Sequence, residues 1–130
     1  MLELLQQVPD VDTVVVAVGG GGLLAGLATV ARAHGVQVVA AEPTTCCCLH
    51  EALAAGHPVD VPVASVAADS LGARRASQAS LEVARTDTCQ SVLVDDADIV
   101  AARQHLWDEH RLAVQHAAAT AHAAAHGAST

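Results

Sequence analysis

The chain has 130 residues and a formal charge of −8, from fourteen acidic residues against six basic ones, all arginine. Phosphate backbones are held by clustered Lys and Arg, so this balance excludes nucleic acid as a partner. Hydrophobic residues at 52% against 15% charged exclude a disordered chain and allow one domain, whose core must be aliphatic because Trp107 stands alone among Phe, Trp and Tyr.

The N-terminus MLELLQQVPD carries Glu3 where a secretory leader is basic, and Cys46, Cys47, Cys48 and Cys89 form no CxxC pair. A reduced, cytoplasmic setting is expected. Asp12 to Val18 is Val-rich and predicts a buried strand of a parallel sheet. Gly19 to Gly22 follow, then Leu23 to Ala33 with Leu23, Leu24, Leu27, Val30 and Ala31 at helical spacing and Gly35 as the stop. Residues 13–31 are uncharged and hold a GxxxG at Gly22 and Gly26, but a β-branched run followed by four glycines is a poor continuous helix, so no membrane span is expected.

Val36 to Ala41 predicts a second strand closed by Glu42-Pro43, completing a βαβ unit. Thr44 or Thr45 is then expected to cap a helix through Leu49, Leu53 and Ala54 that ends at Gly56. Residues 57–66 carry two prolines and read as extended loop; Ala73 to Arg85 reads as a helix and Gln90 to Val94 as a third strand. Asp95 or Asp96 caps a helix through Ile99, Ala102, Leu106 and His110, with Asp98 in its first turn, and Leu112 to Gly127 is an alanine-rich helix. The expected fold is α/β, a short parallel sheet flanked by helices. Three strands make a thin parallel sheet, so residues 1–130 are read as one partial domain that assembles with something or belongs to a larger one.

Four glycines between two apolar segments carry an entropic cost that needs a reason. A strand, a glycine loop and a helix start together make an anion site, because free backbone N–H groups and the positive helix end meet there. Gly19, Gly20, Gly21 and Gly22 are therefore the candidate phosphate-binding residues. No Gly-Lys-Ser/Thr follows, so this is not a nucleoside-triphosphate loop. A dinucleotide is a rival ligand: Gly20, Gly22 and Ala25 satisfy G-x-G-x-x-A, and Glu42 stands where a ribose-binding acid would.

The block VVVAVGGGGLLAGLATVARAHGVQVVAAEP resembles the phosphate-loop region of type II pyridoxal-phosphate enzymes, most closely serine/threonine dehydratases and serine racemases. LHEALAAGHPVDVPV, VAADSLGARR and SVLVDDADIVAARQHLWDEHRLAVQHAAATAHAA resemble later family segments in the right order, so the likeness covers nearly the whole chain. It implies a large-domain fragment binding pyridoxal 5'-phosphate through Gly19 to Gly22 and Leu23, with Gln115 near the cofactor. The implied reaction is β-elimination from L-serine or L-threonine to a 2-oxo acid and ammonia, with racemisation left open. The likeness weighs against the dinucleotide, although an NAD(P)-binding fragment stays as an alternative beside an inactive phosphate-binding module.

The departures matter as much. In the family an upstream lysine holds the cofactor as a Schiff base, and this chain has no lysine, so no catalytic residue is assigned and a complementing segment or oligomer is expected. The family's Glu-Pro-x-x-Ala stands here as Gln115-His116-Ala117-Ala118-Ala119, and its Ala-Asp-Gly as Ala68-Asp69-Ser70. Some relatives bind a divalent cation at positions matching Glu42, the Cys46 carbonyl and Cys48; a thiol at the last suits magnesium badly.

Adjacent cysteines diverge, so Cys46 to Cys48 read as a helix start with partly buried thiols rather than a metal site. His122 and His126 share a helix face but show no third ligand and read as an exposed helix end. His105 and His110 read as helix surface, and Trp107 as a packing anchor. Ser77, Ser80 and Ser91 show no nucleophile elbow and are given no role.

Overall fold

The computed structural model describes residues 1–126. A short helix α1 (Leu2–Gln7) leads into β1 (Thr13–Ala17), α2 (Gly22–Ala33) and β2 (Gln37–Pro43). Three helices, α3 (Cys48–Ala55), α4 (Ala68–Leu71) and α5 (Gln78–Ala84), separate β2 from β3 (Cys89–Val94), and α6 (Asp96–His110) and α7 (His116–His126) close the described chain. The strands pair in parallel in the order β1-β2-β3, with Val16 opposite Ala40 and Ala40 opposite Ser91. The uncharged stretch 13–31 is thus split between β1 and α2, and among the described residues no helix is long and apolar enough to cross a membrane.

Side chains alternate across a strand, and here that alternation divides the core in two. Val16, Val38 and Ala40 pack with α2, α3 and α5 on one face. Ala41, with Val15 and Ala17 beside it, packs under α7 together with Ile99 and Ala102 of α6. The sheet has edges at β1 and β3, where Val14, Val15, Val92 and Leu93 are only half-buried.

Several local expectations need correction. The helix expected from Ala73 begins only at Gln78, because Ser77 is its N-cap and accepts the Ser80 N–H at 3.1 Å. Neither Thr44 nor Thr45 caps α3; Cys47 sits at the N-cap, and the Glu42 carboxylate reaches across from β2 to accept the N–H groups of Leu49 at 2.8 Å and His50 at 2.9 Å. Asp95 occupies the N-cap of α6 without a capping bond, since its carboxylate accepts the Thr44 hydroxyl, and Asp96 accepts from Ser65 and the Val66 N–H. The last helix starts at His116 rather than near Leu112, after Arg111 turns the chain at φ 55°; Gly127 lies outside the described residues. Gly56, at φ 83°, ends α3 in the left-handed conformation that glycine adopts without strain.

Trp107 is no packing anchor: it is 48% exposed, with the Arg111 guanidinium 5.7 Å from its ring centroid. The buried stripe of α6 is Ile99, Ala102 and Leu106, and the residue after Leu106 points about 100° away from it. His122, read as part of an exposed end, is half-buried against α6, its ring 5.7 Å from His105 and 4.3 Å from His126.

Candidate phosphate-binding site

The C-terminal end of β1 runs through Val18 into the glycine loop and directly into α2. Gly21 is the constrained member. Its φ is 97°, and a Cβ there would lie 2.2 Å from Ser80 Cβ, so both backbone and packing demand glycine. Gly20 would bring a Cβ no nearer than 3.9 Å to Ala73, and Gly22 would meet nothing within 4 Å. Close packing therefore explains Gly21 but leaves open space over Gly20 and Gly22.

That space is a cleft of about 470 Å³, lined by β1, the loop, Ser70 and Leu71, and Ala117, Ala118 and Ala121 of α7. No lining side chain carries a charge. The loop carbonyls are engaged by protein: Gly20 accepts the Ser77 N–H at 3.0 Å, and Gly19 accepts the Cys48 thiol at 3.2 Å. Among the described residues the N–H groups of Gly19, Gly20 and Gly21 make no backbone hydrogen bond, and the first turn of any helix leaves its own N–H groups free. An anion in the cleft would meet unpaired donors and the positive end of α2. The residues present thus fit a phosphate group held by backbone alone.

The other expected site residues are placed less centrally. Leu23 lines the cleft and is largely exposed at its mouth. Gln115 is exposed on the segment before α7 and does not line the cleft, whose α7 wall is alanine. Glu42 is fully buried and spends both carboxylate oxygens on α3, with burial lifting its pKa from 4.5 to about 7. Buried to this extent, it cannot be reached by a ribose, which removes the main support for the dinucleotide. Cys46 donates its thiol to the Leu71 carbonyl at 3.2 Å, and no group of three or more His, Cys, Asp or Glu among the described residues stands ready to hold a cation.

Sequence reasoning missed Ser77 and Ser80. Both sit more than fifty residues from the loop in sequence, and only the packing of α5 against α2 brings them to it. The one available signal was the N-cap preference of serine ahead of an apolar run.

Residues 1–130 match the family described as "Pyridoxal-phosphate dependent enzyme". The chain belongs to that family. It is 38% identical over 124 residues to the phenylserine dehydratase of Ralstonia pickettii, covering 94% of this chain and 38% of that protein. It is 36% identical over 122 residues to the biosynthetic L-threonine dehydratase of Escherichia coli (strain K12), covering 92% and 24%. Among solved structures it superposes on maize serine racemase with a TM-score of 0.86 at 35% identity, covering 95% of this chain and 39% of that one. A fungal L-serine ammonia-lyase from Rhizomucor miehei gives 0.86 at 26% identity, covering 94% and 40%. The chain thus spans less than two fifths of the length of the two curated relatives.

Proposed function

We propose that this chain supplies the phosphate-binding part of a pyridoxal-phosphate-dependent serine/threonine dehydratase, which eliminates water from a small hydroxyamino acid to leave an enamine, whose hydrolysis by one water gives a 2-oxo acid and ammonia. The observation that carries the reading is the pair of glycines that packing does not require, Gly20 and Gly22, bordering an uncharged cleft at the N-terminus of α2. Gly19 to Gly22 and Leu23 would hold the cofactor phosphate by backbone N–H groups. Ser70, Leu71 and the α7 alanines would shield it from water. The bound cofactor supplies the electron sink that acidifies the substrate Cα–H. The amine that would take that proton is not among these residues, because none is lysine, so a complementing segment or oligomeric partner must bring it.

The test is binding. The isolated chain should take up pyridoxal phosphate in preference to pyridoxal, and inorganic phosphate should compete. With the α-amino group blocked, borohydride should fix no pyridoxyl group to a side chain. Equal affinity for pyridoxal and its phosphate would defeat the reading. A second reading, a binding module without chemistry, is favoured by the missing lysine alone. It is separated from the first by adding a lysine-bearing segment and assaying ammonia release from L-serine or L-threonine.

A further inference from the structure

The three adjacent cysteines run through the turn from β2 into α3, and all are buried. Their thiols go to three different places. Cys48 donates to the Gly19 carbonyl at 3.2 Å, while Cys46 donates to the Leu71 carbonyl at 3.2 Å, with the Ala73 carbonyl at 3.9 Å. Cys47 bonds within its own turn, to the Thr44 carbonyl at 3.5 Å. Gly19 and Leu71 both line the cleft as near neighbours: a Cβ added at Gly19 would lie 3.6 Å from Leu71 Cα.

In a planar trans peptide the C=O and the following N–H point in opposite directions. A thiol that fixes the Gly19 carbonyl therefore also aims the Gly20 N–H, away from α3. The Ser77 N–H on the Gly20 carbonyl does the same for the Gly21 N–H. An ordinary cysteine thiol titrates at about 8.5, so both thiols are donors at physiological pH. Glu42 in turn anchors the start of α3, on which Cys48 sits, through the Leu49 and His50 N–H groups.

We propose that Cys46 and Cys48 are positioning residues for the phosphate-binding cleft, the two thiols clamping the Leu71 and Gly19 carbonyls so that the loop presents its N–H groups to the anion. This rests on the reading that the loop binds the cofactor phosphate, and Cys47 is a built-in control. The affinities of the chain for pyridoxal phosphate and for pyridoxal are measured for the wild type, Cys46→Ala, Cys47→Ala, Cys48→Ala and Cys48→Ser.

Loss of one hydrogen bond that organises the donors predicts about a tenfold loss of pyridoxal phosphate affinity in Cys48→Ala. Pyridoxal affinity should be unchanged, Cys46→Ala should lose several-fold, and Cys47→Ala should stay near wild type. Cys48→Ser keeps a donor and should recover most of the loss. If the alanine variant does not fold, Cys48→Ser against Cys48→Val makes the same comparison. The clamp is refuted if Cys46→Ala and Cys48→Ala keep the wild-type preference for the phosphorylated ligand, or if Cys47→Ala loses as much as they do. A wild type that does not prefer pyridoxal phosphate overturns the loop reading itself, and the clamp with it.

Discussion

Replacing Gly21 by alanine should be the most damaging single-methyl change in the loop. Forcing an L-residue into left-handed backbone at φ 97° costs about 1–2 kcal/mol. The new Cβ would also lie 2.2 Å from Ser80 Cβ and 2.4 Å from its Oγ, in a buried site where overpacking typically costs about 1–3 kcal/mol. The sum, about 2–5 kcal/mol, is a large share of the stability of a small domain. Gly22→Ala is the matched control: it opens α2, meets nothing within 4 Å, and gains helix propensity worth up to about 1 kcal/mol. Urea unfolding followed by far-UV circular dichroism reads both, with Gly21→Ala expected to lower the midpoint by about 1–2 M. Adding Ser80→Gly should relieve the steric part of the loss but not the backbone part. A Gly21→Ala variant within about 0.5 kcal/mol of wild type, or a Gly22→Ala variant equally damaged, would refute the packing argument.

Burial lifts the Glu42 carboxyl from 4.5 to about 7, so the folded chain keeps a proton that the unfolded chain releases. The Glu42 contribution to stability should be full below about pH 4.5 and decline towards pH 7 by about 3 kcal/mol; Glu42→Gln should remove that decline, and equal pH slopes in both proteins would contradict it. For His122 the sign is opposite: burial, with His126, His105 and His110 nearby, holds its pKa below 6.5, so its contribution is present above pH 6.5 and lost as the pH falls through the folded pKa. Histidine NMR titration should find His122 below an unperturbed histidine, and His122→Gln should flatten the acid loss. Trp107→Ala should cost under about 1 kcal/mol, against about 2–5 kcal/mol for Ile99→Ala, because only Ile99 is buried; comparable losses by urea unfolding would mean that the α6 stripe is misassigned.

The βαβ start, the glycine loop and the parallel three-stranded sheet were all legible in the residue pattern. Each is signalled within a short window, by a Val-rich run, glycines or helical spacing, and the physics behind each signal is local. That none of these 130 residues is lysine is equally plain, since it needs only the composition. Which partners complete those elements emerged only from the packed chain. Glu42 looked like a strand-end acid open to a ribose or a cation, and it proved to be the buried cap of α3, because the free N–H groups of that helix start lie against the end of β2. Ser77, Ser80 and the Cys48 thiol meet the loop across gaps of about thirty to sixty residues, where no local pattern records which carbonyl a donor will find. Trp107 failed as an anchor for a related reason. Hydrophobicity says that a side chain can be buried, but only the angle between two packed helices says which one is.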